Sequence, residues 1–154
     1  MKIFELQLNE AFEISRWKYE GEYSFYNSEK SEEAINELMN GTYYSVRNDV
    51  NELIGYFCFG RSAQVPGGQK TGLYTGDNVL DIGLGMKPEL TGKGMGMSFL
   101  TAGIIFADKT FNPHRLRLSV AIFNRRAVSL YTRAGFKAVS SFQNNGTPFV
   151  IMIR

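Results

Sequence analysis

Residue types that carry several common enzyme chemistries are scarce in this chain of 154 residues. The one cysteine, Cys58, has no partner for an intramolecular disulfide, which favours a reducing compartment, and its apolar surroundings in sequence are typical of a buried thiol. Cys58, the one histidine, His114, and the scattered carboxylates form no cluster with zinc spacing. We therefore expect neither a disulfide-stabilised fold nor a metal cofactor.

Long apolar runs and a strong excess of one charge are also missing. No run of about 18 apolar residues occurs, and Glu5 and Gln7 interrupt the first apolar positions, so we expect no membrane span and no signal peptide. Lysine and arginine number 17 against 15 acidic residues, a surplus too small to indicate a nucleic-acid partner. These absences predict a cytoplasmic protein that binds neither membranes nor nucleic acid.

The length and the 44% hydrophobic content are enough for one compact domain, residues 1–154. Hydrophobic periodicity and turn residues predict the element order β-α-α-β-β-β-α-β-α-β-β. The predicted elements are a short strand around residues 3–8, a helix from about Glu10 to Trp17, a helix capped by Ser31, strands Thr42–Arg47 and Leu53–Arg61, a long exposed loop Ser62–Asp77, strand Asn78–Met86, a helix from about Gly94 to Lys109, strand Arg115–Val120, a helix capped by Asn124 and ended by Gly135, and strands Phe136–Phe142 and Phe149–Ile153.

A cluster of glycines separates the strand that ends at Met86 from the helix that follows it. Gly92, Gly94 and Gly96 surround Lys93 in the stretch PELTGKGMGMSF, residues 88–99. Glycines lack the Cβ atoms that would keep a phosphate from the backbone amides, and a helix N-terminus carries partial positive charge. The spacing favours a loop that binds a polyphosphate, although the same glycines could instead allow a close contact between helix and strand.

Neither of two common nucleotide-binding loops fits these letters. A P-loop needs serine or threonine after its Gly-Lys pair, but Gly94 follows Lys93. A dinucleotide fingerprint that began at Gly92 would need glycine where Met97 stands. Gly83 and Gly85 leave one face of the preceding strand nearly bare, and glycine weakens a strand unless a ligand or another backbone comes close.

The stretch FNRRAVSLYTRAGF, residues 123–136, together with the earlier TGKGMG, resembles the GNAT superfamily of N-acetyltransferases. The resemblance is specific from Asn78 to about Phe142. It implies a mixed α/β fold, with a mostly antiparallel sheet, a splayed pair of central parallel strands and flanking helices. It also implies acetyl-CoA as the acyl donor, with its pyrophosphate held by the family pattern Q/R-x-x-G-x-G/A.

The resemblance implies a set of cofactor-binding residues. Gly94 and Gly96 match the two glycines of the pattern, whereas Thr91 stands where the family has glutamine or arginine, so Lys93 or Arg126 would have to compensate. Asn124 would bind CoA, or it would only cap its helix. The complete set is Leu84, Gly85 and Met86 along the pantetheine arm, Thr91, Gly92, Lys93, Gly94, Met95 and Gly96 at the pyrophosphate, and Asn124 and Arg126.

Two residues are candidates for proton transfer. Tyr131 matches the family tyrosine that faces the CoA sulfur and would protonate the departing thiolate; the alternative is a residue that only packs the helix on the sheet. Some family members place a basic glutamate where Ser119 stands here. Asp81, on the glycine-bearing face of its strand, could act as the base directly or through water, but a hydrogen-bonded strand aspartate is an equal alternative.

The resemblance predicts direct transfer of the acetyl group to a primary amine of a small molecule or a protein N-terminus. A CoA-binding sensor or interaction module that has lost turnover is the alternative, because of Thr91 and the missing strand glutamate. The segment Trp17–Asn27 combines aromatic residues with Glu20 and Glu22 and could line a pocket for a cationic amine, or simply pack in the core. Edge strands near the C-terminus could pair in a homodimer.

Overall fold

The part of the chain that the structure describes forms seven strands and five α-helices. A computed structural model describes residues 1–28 and 31–154, and within them the sheet order is β1-β2-β3-β4-β5-β7-β6. The elements are β1 Lys2–Glu5, α1 Leu8–Ser15, α2 Glu32–Leu38, β2 Tyr43–Arg47, β3 Leu53–Phe59, α3 Pro66–Lys70, β4 Val79–Met86, α4 Gly96–Phe111, β5 Arg115–Ala121, α5 Arg125–Arg133, β6 Lys137–Asn144 and β7 Thr147–Ile153. Short 3₁₀ turns cover Gly21–Tyr26, Gly60–Ala63 and Pro88–Leu90.

The sheet is mixed, as the sequence predicted. Strands β1, β2 and β3 pair antiparallel, and β7 pairs antiparallel with both β5 and β6. Strands β4 and β5 are parallel, with Val79–Asp81 opposite Arg115–Arg117. This confirms the mixed α/β fold with a central parallel pair; the predicted splaying of that pair stays a prediction.

Cap and turn residues explain several element boundaries. The Ser31 hydroxyl accepts the Ala34 amide at 3.1 Å, and the Asn124 side chain accepts the Ala127 amide at 3.1 Å, so both predicted N-caps are confirmed. Asn145 and Gly146 both have positive φ angles, 49° and 80°, as the predicted β6–β7 hairpin turn requires. The first helix begins earlier than predicted, at Leu8 instead of about Glu10.

The prediction of a structureless loop over Ser62–Asp77 was wrong, because α3 lies within it. Pro66 is the first residue of α3, where a backbone N–H would have no partner within the helix, so the missing N–H of proline costs nothing. Gly67 and Gly68 are buried, and a Cβ on Gly68 would lie 2.7 Å from the Tyr74 ring and 3.0 Å from the Phe142 ring. The glycines therefore allow the helix to pack closely, a role that glycine content alone does not distinguish from flexibility.

The contacts of the chain fall into two compact units. The first comprises Met1–Cys58 and Leu84–Phe99, and the second comprises Phe59–Gly83 and Leu100–Arg154. The apolar cluster of the first unit consists of Leu6, Ala11, Ile14, Trp17 and Leu53. The cluster of the second consists of Ala121, Phe142, Phe149 and Ile151, where the rings of Phe142 and Phe149 stack 5.3 Å apart.

Candidate active site

The glycine loop of the first unit connects β4 to α4. Gly92 and Gly94 have φ angles of 72° and 80°, a backbone conformation that favours glycine. A Cβ on Gly94 would meet nothing within 4 Å, and Gly92, Lys93 and Gly94 are all exposed. The loop therefore presents its backbone to the surroundings, as an anion-binding loop must.

Helix α4 begins at Gly96, two residues later than predicted. The Phe99 amide donates to the Met95 carbonyl at 3.0 Å, and the amides before Phe99 have no carbonyl one turn earlier in the helix. Thr91 is already engaged, since its hydroxyl donates to the Pro88 carbonyl oxygen at 2.7 Å. At the position where the family has glutamine or arginine, this chain thus has a side chain that closes a local turn.

Two tyrosines of the same unit contact the end of β4. The Tyr19 hydroxyl donates to the Met86 carbonyl oxygen at 2.7 Å. Burial, with a smaller contribution from the negative charge of Glu89, raises the pKa of Tyr19 to about 12, so the phenol keeps its proton at neutral pH. A Cβ on Gly85 would lie 2.7 Å from the Tyr56 phenol oxygen. The bare position at Gly85 is therefore filled by Tyr56, so the close approach predicted there is made by a side chain of the protein.

Asp81, in the second unit, is held in a buried ion pair. It is 3% exposed, and its two carboxylate oxygens accept bonds of 2.6 and 2.8 Å from the Arg117 guanidinium. One of those oxygens also accepts the Gln64 amide at 2.9 Å. Both carboxylate oxygens are thus occupied by hydrogen bonds, a geometry that fits the alternative of a hydrogen-bonded strand aspartate. The assignment of Asp81 as the base stays a prediction.

Ser119 and Tyr74 form part of the same polar network. Their hydroxyls lie 2.6 Å apart, and the Tyr74 hydroxyl accepts the Val65 amide at 3.0 Å. The Arg117 guanidinium lies 5.1 Å from the centre of the Tyr74 ring. At the position where some family members have a basic glutamate, this chain therefore has a serine that is fixed by a tyrosine hydroxyl.

Helix α5 carries the other predicted residues of the second unit. Asn124 caps it, and the following Arg125 and Arg126 are exposed. Tyr131 is 8% exposed, and its ring makes an edge-to-face contact with Phe136 at 6.1 Å. This contact fits the packing alternative, and burial also fits an acid in a dry site, so the role of Tyr131 stays a prediction.

Cys58 and His114 are the other two side chains that the sequence singled out for their chemistry. Cys58 is buried, and His114 is exposed, with its backbone amide bonded to the Asn78 carbonyl at 2.9 Å. Within residues 1–28 and 31–154, no group of three or more metal-ligating side chains is found. In the same part of the chain, no helix has both the length and the apolarity to cross a membrane.

Comparison with a family model decides the classification. The model of the acetyltransferase (GNAT) family matches residues 8–136, which include the glycine loop, β4 and α5. The chain belongs to the GNAT acetyltransferase family. A comparison with curated proteins found no match.

Solved structures of GNAT proteins share the fold. A chimera of the spermidine N-acetyltransferase SpeG from Vibrio cholerae and hSSAT is 20% identical, with a TM-score of 0.72 and coverage of 99% of this chain and 94% of that one. The aminoglycoside acetyltransferase AAC(6')-Ib in complex with coenzyme A is 16% identical, with a TM-score of 0.76 and coverage of 99% and 92%. A GNAT acetyltransferase from Bacillus anthracis is 15% identical, with a TM-score of 0.74 and the same coverage.

Sequence reasoning assigned Gly85 and Met86 to the pantetheine arm but did not identify the two tyrosines that contact them. Tyr19 and Tyr56 contact Met86 and Gly85, but they come from separate segments of the chain, 67 and 29 positions away in sequence. The one signal was the concentration of aromatic residues in Trp17–Asn27, which predicted a pocket without saying which residue it would contact.

Proposed function

We propose that the chain is an N-acetyltransferase that moves the acetyl group of acetyl-CoA directly to a primary amine. The observation that carries the proposal is the exposed loop Gly92–Gly94, which has two glycines in the left-handed region and lies within the matched family region. The spermidine and aminoglycoside N-acetyltransferases that share the fold act on amines, and one of them is described in complex with coenzyme A. These likenesses support an amine acceptor.

The loop residues would bind the cofactor through backbone amides. Open space around Gly94 leaves room for a pyrophosphate against the amides of Met95 and Gly96, and Lys93 would add a positive charge. The backbone of Leu84, Gly85 and Met86 would bind the pantetheine arm. Because the Met86 carbonyl oxygen already accepts a hydrogen bond from the Tyr19 hydroxyl, we expect the pantetheine bonds to involve the other backbone groups of this segment.

The reaction requires no covalent enzyme intermediate. The neutral amine attacks the thioester carbonyl carbon, the new C–N bond forms and the C–S bond breaks. The thiolate takes a proton that Tyr131 would supply, and the proton that the attacking nitrogen releases restores the phenol. Deprotonating an alkylamine with pKa near 10.4 at pH 7 costs about 4.6 kcal/mol, which burial of the acceptor or a base must offset. We propose that this proton leaves through water, because Asp81 is bound to Arg117.

The test is acetyl-CoA-dependent acetylation of an amine panel, with thiol release and the mass of the product measured together. Amine-dependent thiol release with formation of an acetylated amine is expected. Thiol release that does not depend on the amine would indicate hydrolysis and would contradict the proposal.

A CoA-binding module without turnover is the second candidate. The Thr91 hydroxyl is bonded to Pro88, and Ser119, at the position of the family glutamate, is bonded to Tyr74, so two family-specific side chains are replaced. Calorimetric binding of CoA without acetylation of any amine in the panel would favour this candidate.

The proposed partners are a small-molecule or peptide amine and, through the edge strand β6, a second copy of the chain. A cytoplasmic location remains the expectation from the single cysteine. Light scattering at several protein concentrations would test the dimer.

A further inference from the structure

The first unit contains a cavity with mostly aromatic walls, which we call the aromatic pocket. Its volume is about 200 Å³, and its lining includes Trp17, Tyr19, Tyr26, Tyr43, Tyr56 and Glu37. Trp17 and Tyr56 stack with centroids 6.1 Å apart, and Tyr43 lies 5.9 Å from Tyr56. Aromatic walls of this kind favour apolar groups and alkylammonium groups.

The indole N–H of Trp17 is a buried hydrogen-bond donor for which no acceptor is found among the described residues. Trp17 is 7% exposed, and within the described part of the chain its Nε1 is the buried side-chain nitrogen or oxygen for which no hydrogen bond is found. Indole N–H is a donor only, and a buried donor without an acceptor is costly. Trp17 forms part of the cavity wall, and an oxygen that enters the pocket and reaches the indole nitrogen would supply the missing acceptor.

The charge of the lining favours a cation. Glu37 is anchored at the cavity, since one of its oxygens accepts the Asn40 amide at 3.2 Å and the other accepts the Tyr43 hydroxyl at 3.4 Å. Of the residues that the structure describes, none in the lining is a lysine or arginine. The acidic residue of the pocket is thus Glu37, whereas Glu20 and Glu22, which the sequence suggested, are exposed and are not part of the lining.

Two walls of the aromatic pocket contact the strand segment that would hold the pantetheine arm. Tyr19 bonds the Met86 carbonyl, and the Tyr56 ring fills the space beside Gly85. A molecule in the pocket would therefore contact two side chains that also contact the end of β4. This position suits the acceptor of the proposed acetyl transfer, and the following inference rests on that function.

We propose that the aromatic pocket selects a small primary amine that carries a neutral oxygen acceptor, and that Trp17 is the residue that determines this specificity. The indole N–H donates to the oxygen of the ligand, while Glu37 attracts the cationic amine. A fully protonated polyamine has no lone pair to accept this bond, so it would leave the donor unpaired or displace a water that pairs it. The volume is below the roughly 300 to 1,000 Å³ of pockets for drug-sized ligands, which excludes complete enclosure of a multi-ring aminoglycoside.

A fluorescence titration tests the proposal without requiring turnover. Trp17 is the one tryptophan of the chain, so the indole emission reports this pocket. Glycinamide and isobutylamine have the same number and connectivity of heavy atoms, but only glycinamide carries a carbonyl oxygen. We expect glycinamide to change the emission and to bind roughly five- to tenfold more tightly than isobutylamine. Equal affinities, or tighter binding of spermidine than of glycinamide, would overturn the proposal.

Trp17→Phe keeps an aromatic ring but removes the donor. When binding is measured by calorimetry, the ratio of the glycinamide affinity to the isobutylamine affinity should fall to about one in this variant. The two amines differ in basicity, but this difference is the same for the variant and the unchanged protein, so it cancels when their ratios are compared. Glu37→Gln is the matched control, since it should weaken both amines by similar factors and keep their ratio. A preference that survives Trp17→Phe would overturn the assignment of Trp17, and the titration of the unchanged protein decides the question if that variant does not fold.

Failure of this inference can be separated from failure of the proposed function. If CoA raises the thermal stability and amines are acetylated, but glycinamide and isobutylamine bind equally, only the specificity assignment is wrong. If glycinamide binds with the expected preference but no amine is acetylated, the pocket assignment stands and the transferase proposal fails.

Discussion

The Tyr56 ring lies against the backbone of Gly85, in the space that a side chain at position 85 would need. A Cβ there would be 2.6 Å from Tyr56 Cζ and 2.7 Å from its phenol oxygen, closer than real Cβ contacts allow. Tyr56 is in turn stacked with Trp17. The end of β4 and the aromatic pocket therefore share one side chain, and a change in one should be measurable in the other.

Gly85→Ala tests this relationship. The added methyl must displace the Tyr56 ring, and overpacking of this kind costs about 1 to 3 kcal/mol of unfolding free energy. A second substitution, Tyr56→Leu, removes the ring that the methyl meets. In a double-mutant cycle measured by urea unfolding, Gly85→Ala should be less destabilising in the Tyr56→Leu background. Additive effects would show that the two residues do not compete for space.

The sequence predicted the order of strands and long helices because periodicity, caps and turn residues are local signals. Ser31, Asn124 and the Asn145–Gly146 turn all occur as expected. The error in the loop Ser62–Asp77 arose where glycine has a long-range role, since Gly68 allows α3 to approach Tyr74 and Phe142. Gly85 likewise allows Tyr56 to approach β4, and the sequence did not identify this partner. A sequence shows that a side chain is missing but does not show which distant residue fills its place.

The same limit applies to the candidate site. The glycine loop was recognisable because its residues are adjacent in sequence, and its left-handed Gly92 and Gly94 fit the expected backbone. The partner of Asp81 was not recognisable, because Arg117 is 36 positions away and an alternating strand pattern does not identify ion pairs. The unpaired donor of Trp17 likewise depends on the surroundings of the folded chain.

The conformation of Gly94 makes a prediction about cofactor affinity. Gly94→Ala places a Cβ on a residue with φ of 80°, which costs about 1 to 2 kcal/mol of stability, and it covers amides that would meet the pyrophosphate. Gly72 is a matched control, since it has φ of 69° and also has open space around it. Both variants should lose similar stability, but only Gly94→Ala should raise the Kd for CoA in calorimetry. Equal Kd values would contradict the loop assignment.

Asp81→Asn should affect stability more than catalysis. The change leaves the buried Arg117 guanidinium without its counter-charge, and breaking a buried pair costs about 3 to 5 kcal/mol. Asp77→Asn, at an exposed aspartate, is the control and should be nearly neutral. The pH profile of kcat/KM for the folded fraction should keep its shape. Loss of the acidic limb, where a catalytic base becomes protonated, in Asp81→Asn alone would instead support Asp81 as the catalytic base.

The Glu10–Arg47 pair makes stability depend on pH in the acidic range. Burial raises the pKa of Glu10, but hydrogen bonds from Arg47 and the Gln7 amide, with the charge of Arg47, lower it further, so the net pKa lies below 4.5. A depressed carboxyl pKa adds stability that is present above 4.5 and is lost as the pH falls through the folded-state value. Urea unfolding of the unchanged protein should show this loss.

Glu10→Gln should remove much of that pH dependence and cost about 1 to 3 kcal/mol at neutral pH, because the Arg47 guanidinium loses its carboxylate partner. Glu13→Gln is the comparison, since the Glu13 side chain is 47% exposed and its contact with Lys87 is 3.8 Å long. That surface pair should contribute little. Equal pH profiles for Glu10→Gln and the unchanged protein would contradict the assignment.

Tyr131→Phe separates the proposed acid from a packing residue. The ring and its contact with Phe136 are kept, so we expect unfolding free energy and the Kd for CoA to change little. Removal of a proton donor should lower kcat by roughly 10²- to 10⁴-fold under conditions where chemistry limits the rate. Unchanged kcat under those conditions would leave Tyr131 with a packing role alone.

Mass spectrometry of an amine panel incubated with the folded protein and acetyl-CoA tests the central claim most directly. We expect an amine to gain one acetyl group, with an equal amount of CoA thiol released and no product when the protein is omitted. Binding of acetyl-CoA without acetylation of any amine, including glycinamide and spermidine, would contradict the claim that this chain is an N-acetyltransferase.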